Sequence, residues 1–188
     1  MTEFMAGGRR RVDRVLAPEF AAGLPELSLV EIRARRADSE QEEVDLSYAR
    51  RLLQGRLDIL RAEQAARQCG AGAVRQPRTD LEIVGELSQI LADGPRTDHG
   101  SGRYLGLAEP SRVGEHRREA ERAVADVGSS DLASMSDPAL AGAIDHLSDI
   151  EVRISRTRRS VQAVVDSLTA EIARRYSSGE VEVAAALL

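Results

Sequence analysis

Apolar residues recur every three or four positions along two long stretches of the chain, residues 39–68 and 137–176. This spacing places them along one side of an α-helix, and a near-heptad repeat is typical of a coiled coil. An apolar seam needs a partner, and the simplest partner is the other long helix, folded back antiparallel. The sequence therefore predicts an all-α protein built on a long antiparallel two-helix coiled-coil hairpin, with short flanking and linking helices. The seam residues are Leu46, Leu53, Leu57, Leu60, Leu147, Ile150, Ile154, Val161, Val165, Leu168 and Ile172.

Capping signals locate the start of the first helices. Ser28 is followed three residues later by Glu31, which is the spacing of a capping box and predicts a short helix over residues 25–36. Asp38 or Ser39 could then cap the first long helix. We therefore expect a break between a short N-terminal helix and the first long helix.

Glycine, proline and serine mark the other boundaries. A linker over residues 73–135 is predicted to contain short helices at 79–93 and 115–127. Ser136, with a proline two residues later, is a favourable start for the second long helix. The predicted division of the chain is a flexible N-terminal tail (1–23), a helical hairpin domain (24–176) and a C-terminal tail (177–188).

Composition supports this fold and narrows the possible functions. Aromatic residues make up 3% of the chain and hydrophobic residues 42%, mostly Ala, Leu, Val and Ile. This mixture suits helix-on-helix packing better than a β-sandwich. The net charge is −5, which argues against general binding to duplex DNA. All 26 basic residues are arginine, whose forked side chain can grip a phosphate or a guanine edge.

The sequence also argues against a secreted or membrane protein. Cys69 is the single cysteine, so neither a disulfide framework nor a thiolate metal set is expected. No apolar run approaches the roughly 18 residues of a membrane span. The arginines at 9–11 are not followed by the hydrophobic region of an export signal. We therefore expect a cytoplasmic protein. We also expect a monomer in the free state.

One sixteen-residue frame occurs twice, once in each long helix. Residues 43–58 read EVDLSYARRLLQGRLD and residues 151–166 read EVRISRTRRSVQAVVD, so both contain E-V-x-x-S-x-x-R-R-x-x-Q-x-x-x-D. Packing alone can repeat an apolar seam, but it does not dictate Ser, Gln and Asp at fixed offsets. The repeat therefore points to a ligand that is bound by both copies.

On a helix the shared polar residues form one stripe. At about 100° per residue, the Glu, Ser, first Arg, Gln and Asp of a copy fall within an arc of about 80° that borders the apolar seam. Pairing the helices through their seams would place both stripes beside one groove. The ten stripe residues are Glu43, Ser47, Arg50, Gln54, Asp58, Glu151, Ser155, Arg158, Gln162 and Asp166. Arg51 and Arg159 repeat at the edge of the stripe and could contact phosphates.

The chemistry of the stripe favours a nucleotide. Arginine binds phosphate or guanine O6 and N7 in a bidentate manner. Aspartate accepts hydrogen bonds, and guanine offers adjacent donors at N1 and N2. An antiparallel hairpin relates the copies by a pseudo-twofold axis, so a twofold-symmetric ligand with guanine and phosphate would match. Cyclic di-GMP has these properties.

The paired pattern E-x3-S-x2-R-x3-Q-x3-D resembles the signature of the RsiG family, and all ten positions match. These are anti-sigma factors of Streptomyces and related actinobacteria. The resemblance implies that the ten stripe residues bind cyclic di-GMP, two molecules per chain, on a coiled-coil hairpin. It further implies that the loaded protein sequesters a WhiG-type sigma factor of the sporulation and flagellar class from RNA polymerase. These expectations cover residues 24–176.

Two alternatives remain open from the sequence. The first is a structural coiled-coil adaptor with a duplicated helix and no ligand. The second, an enzyme that hydrolyses a nucleotide, is disfavoured because no catalytic or metal-binding constellation is present. His99, His116 and His146 lack the spacing of a metal site, and Asp98, His99 and Ser101 lie in a Gly-rich stretch without a supporting fold.

A sigma-binding surface would be partly apolar and would lie outside the stripes. Two segments have apolar faces with no obvious place in a two-helix seam. They are the short N-terminal helix, with Leu27, Leu29, Val30 and Ile32, and the middle helix, with Leu81, Val84 and Leu87.

Overall fold

The computed structural model describes residues 4–70, 109–111, 114–128 and 132–179. In these ranges the chain is helical and contains no strand, so the predicted all-α class is confirmed. The predicted helix at 79–93 lies outside the described residues. The helices are α1 (Arg11–Val15), α2 (Leu29–Gly70), α3 (Glu115–Gly128) and α4 (Asp137–Ser177), with 3₁₀ turns at Pro18–Phe20, Leu24–Glu26 and Leu132–Ser134.

Helices α2 and α4 form the predicted antiparallel hairpin. Arg67, near the end of α2, bonds to Asp137 at the start of α4, with 2.8 Å between Nη1 and Oδ1. Arg33, near the start of α2, donates to the hydroxyl of Tyr176 at the end of α4. Every seam residue named from the sequence is buried, and Leu53, Leu147 and Ile154 are 0% exposed. The coiled-coil seam is therefore confirmed.

The break expected before the first long helix is absent, because α2 is one helix from Leu29 to Gly70. Its capping box forms as predicted: Ser28 N donates to Glu31 Oε2 at 2.9 Å, and Glu31 N donates to Ser28 Oγ at 3.2 Å. Ser39 does not cap a second helix. Its hydroxyl donates to the Arg35 carbonyl one turn earlier, at 2.8 Å, and the residue is fully buried. A serine satisfied in this way can remain inside a helix.

The range predicted as a flexible N-terminal tail, residues 1–23, includes the short helix α1. Helix α1 packs on the hairpin through Val12 and Val15, each 1% exposed. Asp13 is buried and accepts two bonds of 2.7 Å from the Arg10 guanidinium, and this contact with Arg10 lowers the pKa of its carboxyl group. Asp13 thus stabilises the turn itself, whereas the polar contact with the hairpin comes from Arg11, whose Nη1 donates to Asp45 Oδ2 of α2 at 3.0 Å.

Two arginines hold the segment between α1 and α2 against the hairpin. Arg35 of α2 donates to the Phe20 carbonyl at 2.6 Å, and Arg175 of α4 donates to the Leu24 carbonyl at 2.6 Å. Arg175 is itself bonded to Glu171, with 2.8 Å between Nε and Oε1. The segment is thus fixed to both long helices at the end of the hairpin where α4 terminates.

The acid stability of the protein should depend on Glu171. Hydrogen bonds from Arg174, the larger contribution, and from Arg175 lower the pKa of Glu171 from 4.5 to about 2. A carboxyl group with a depressed folded-state pKa contributes stability above its unfolded-state pKa, and this contribution is lost as the pH falls. We expect Glu171→Gln to lower the melting temperature at neutral pH, and the difference from wild type to shrink between about pH 4.5 and 2. Thermal unfolding followed by circular dichroism measures this, and a difference independent of pH would contradict it.

The apolar residues of the predicted N-terminal helix pack largely against α4. Ile32 is 0% exposed and forms a small core with Leu168 and Ile172, and Leu27 and Leu29 pack against it. Val30 is 75% exposed. The hairpin thus covers most of this face. Of its four apolar residues, only Val30 remains exposed to solvent.

Helix α3 agrees with the predicted helix at 115–127 and packs on the hairpin through Ala120, Ala123 and Val127. The Arg117 guanidinium lies 5.0 Å from the ring centroid of Tyr48 on α2, a cation–π contact. α4 then begins as predicted, with the Ser136 hydroxyl accepting from the backbone N–H of Ala139. Among the described helices, none has the length and hydrophobicity needed to cross a membrane.

Candidate functional site

The two copies of the repeated frame contact each other reciprocally across the hairpin. Glu151 of the second copy accepts from Arg50 Nε at 3.0 Å and from Gln54 Nε2 at 3.2 Å, both in the first copy. Glu43 of the first copy accepts from Gln162 Nε2 and lies 3.5 Å from Arg158 Nη1, both in the second copy. The same residue types therefore meet in both directions, as the pseudo-twofold relation of two antiparallel copies requires.

The copies also match in exposure. Both serines, both first arginines and both glutamines are partly exposed, and Asp58 and Asp166 are exposed. Arg51 and Arg159 are exposed as well. The glutamate side chains are largely enclosed, 10% exposed for Glu43 and 18% for Glu151. Each stripe thus presents arginine, glutamine and serine at a partly open surface, with an aspartate at its outer end.

The other described elements contact the hairpin on the side away from the stripes. At about 100° per residue, the α2 residues Glu42, Asp45 and Arg56, which meet α1 or α3, lie roughly 100–160° from Glu43, at or beyond the far edge of the seam. On α4, Arg175, which holds the N-terminal segment, lies on that same side. The apolar seam therefore separates a face that packs against other elements from the face that displays the repeated polar residues.

The arrangement suits a polar, anionic, planar ligand. An arginine has five N–H donors, so a bond through Nε leaves donors with which it can hold a phosphate or a guanine edge. The exposed aspartates supply acceptors, as the proposed recognition of guanine N1 and N2 requires. The structure brings the glutamate, first arginine and glutamine of one copy together with those of the other. The role of all ten stripe residues in ligand binding stays a prediction, as do the phosphate contacts of Arg51 and Arg159.

The histidines do not form a second site in the described residues. His116 is 4% exposed, and its Nε2 lies 2.6 Å from Glu42 Oε1, so it bridges α3 to α2. His146 lies at the exposed rim of a groove of about 440 Å³ between α3 and α4. His99 and Ser101 lie outside the described residues. Among the described side chains, no group of three or more His, Cys, Asp or Glu could hold a metal ion.

The reciprocal role of the glutamates was not anticipated from the sequence. All five residue types were assigned to the ligand, yet Glu43 and Glu151 bond to the other copy. Antiparallel pairing alone leaves the register of the two helices open, so the sequence carried no signal for these contacts; in the structure the first position of one frame lies opposite the eighth and twelfth positions of the other. Those positions hold the arginine and glutamine that the structure places on the glutamate.

Comparison with protein families gives a match over most of the chain. The model of a family described as RsiG-like matches residues 18–91 and 126–188, and these segments contain both copies of the frame. A comparison with curated proteins gives no match. Because the matched segments cover well over half of the sequence and the helical hairpin agrees with the expected fold, the chain belongs to the RsiG-like family, a family of anti-sigma factors.

Proposed function

We propose that this protein binds cyclic di-GMP on the two stripes and, in the loaded form, sequesters a WhiG-type sigma factor from RNA polymerase. The observation that supports this most strongly is the reciprocal contact between the two copies, Arg50 and Gln54 with Glu151, and Arg158 and Gln162 with Glu43. Two equivalent polar surfaces related by a pseudo-twofold axis suit two molecules of a twofold-symmetric ligand. Membership of an anti-sigma family supports the sigma factor as partner.

The physical basis of regulation would be differential affinity. A ligand shifts a conformational equilibrium only as far as it binds one state better than the other. Cyclic di-GMP bound on the stripes of the two long helices would favour the hairpin arrangement in which both stripes are accessible. If the sigma factor prefers that same arrangement, each partner strengthens the binding of the other by the same factor.

Titration calorimetry with cyclic di-GMP tests the ligand. We expect two molecules bound per chain, because the chain has two equivalent stripes, and a protein that remains monomeric. Cyclic di-AMP should bind much more weakly, since adenine lacks the N1–H and N2–H₂ donors that the aspartates would accept. Binding of one molecule per chain, or equal binding of cyclic di-AMP, would contradict the proposed recognition.

Capture of a purified WhiG-type sigma factor tests the partner. The immobilised protein should retain the sigma factor more strongly with cyclic di-GMP than without it. An absence of capture under both conditions would refute the anti-sigma assignment for this partner. Absence of dinucleotide binding together with an intact hairpin would instead favour the structural adaptor.

A further inference from the structure

The motif glutamates differ from the other stripe residues in what they contact. Glu151 Oε1 accepts from Arg50, from Gln54 and, at 2.8 Å, from the Ser155 hydroxyl of its own copy. Glu43 receives the equivalent arginine and glutamine from the second copy. We propose that Glu43 and Glu151 are positioning residues, each of which orients the ligand-binding arginine and glutamine of the opposite copy. This inference rests on the proposed function.

Electrostatics disfavours a direct contact between these carboxylates and the phosphates. A carboxylate is a hydrogen-bond acceptor only, and it repels an anionic ligand. With three donors on one oxygen, Glu151 already has its charge and much of its acceptor capacity engaged by protein groups. The exposed carboxylates of Asp58 and Asp166 are better placed to accept from guanine.

Holding arginine and glutamine in place has a direct benefit for binding. Immobilising a long side chain on binding costs conformational entropy, so a side chain that is ordered beforehand binds more tightly. The bond to Glu151 also fixes which end of the Gln54 amide faces the protein: the NH₂ group donates inward. Each ligand site is therefore composite, with contacting residues from one helix and a positioning carboxylate from the other.

A pair of double-mutant cycles separates positioning from direct contact. Affinity for cyclic di-GMP is measured by calorimetry for Glu151→Ala in three backgrounds: wild type, Arg50→Lys and Arg158→Lys. Lysine keeps the charge but loses the fork, so that binding stays measurable. We expect Glu151→Ala to weaken binding about tenfold in the wild type, which corresponds to about 1.4 kcal/mol. The loss should shrink to about threefold or less with Arg50→Lys and stay full with Arg158→Lys.

The opposite pattern would overturn the proposal. If Glu151 contacts the ligand bound by its own copy, its effect should depend on Arg158 and not on Arg50. Glu43→Ala provides the mirror experiment, in which coupling to Arg158 and independence from Arg50 are expected. No loss of affinity in Glu151→Ala and Glu43→Ala would also refute the positioning role.

Controls keep the test decisive. Glu40→Ala removes a partly exposed glutamate of α2 that pairs with Arg36 on its own helix, and it should leave affinity unchanged. If Glu151→Ala lowers the helix content by circular dichroism, Glu151→Gln, which keeps an acceptor oxygen at the same reach, replaces it in the cycle. A wild-type protein that binds no cyclic di-GMP would refute the proposed function and this inference together. Two molecules bound with same-copy coupling would refute this inference alone.

Discussion

Replacing Arg50 or Arg158 with alanine is expected to weaken cyclic di-GMP binding by roughly 10- to 150-fold, the equivalent of the 1.5–3 kcal/mol typical of hydrogen bonds to charged groups. Each arginine would lose its contacts to phosphate or guanine. Each would also leave a glutamate of the opposite copy without its cation, since Arg50 bonds to Glu151 and Arg158 pairs with Glu43. The double variant should have no measurable affinity in a calorimetric titration.

Arg61→Ala is the matched control for these arginine variants. Arg61 also lies on α2 and donates across the hairpin, to Ser148 Oγ at 3.3 Å, but it is not part of either copy. Its loss should leave both affinity and stoichiometry unchanged. Equal losses in Arg50→Ala and Arg61→Ala would show that the arginines act through general charge, and unchanged binding in Arg50→Ala would remove the stripe from the site.

The largest effect on stability is expected for Leu53→Ala. Leu53 is fully buried in the seam, between Arg50 and Gln54 of the first copy. Truncating a buried leucine to alanine typically costs 2–5 kcal/mol, because apolar contacts are lost and a cavity remains. This is a large fraction of the roughly 5–15 kcal/mol that stabilises most domains. Urea unfolding followed by helix content measures the change.

Ile59→Ala serves as the comparison for the core variant. Ile59 lies on the same helix but is 42% exposed, so its truncation should change the stability much less, by about 0.5 kcal/mol. Similar losses for the two variants would mean that the seam does not dominate the stability of the hairpin. A loss below about 1 kcal/mol for Leu53→Ala would contradict the close packing of α2 against α4.

The sequence was sufficient to predict the hairpin because its apolar spacing is regular over both long helices. Leu46 and Leu60 of the first helix and Leu147 and Leu168 of the second are buried as expected. The same pattern could not show that α2 is continuous. Two adjacent capping signals, Ser28 and Ser39, suggested two helix starts, and only tertiary burial of Ser39 with its bond to Arg35 decides between them.

The N-terminal segment shows the limit of reasoning from composition. Glycine and arginine are common in tails, but docking here depends on non-local contacts, such as Arg175 of α4 with the Leu24 carbonyl. A pairing across 151 positions has no local sequence signal. The residues of the polar stripe were predictable as a set. Which of them contact the opposite copy depends on which residues lie opposite each other, and only the structure shows that.

The reciprocal polar contacts also determine how the two long helices align. A shift of α4 by one heptad would still bring many apolar residues onto the seam, but it would move Glu43 about 10 Å along the axis from Gln162. Glu151 would lose Arg50 and Gln54 in the same step. Shifted registers, in which these side chains lose their hydrogen bonds, are therefore less stable than the register in which they keep them. The stripes thus give the coiled coil a unique register that its leucines, isoleucines and valines specify less strictly.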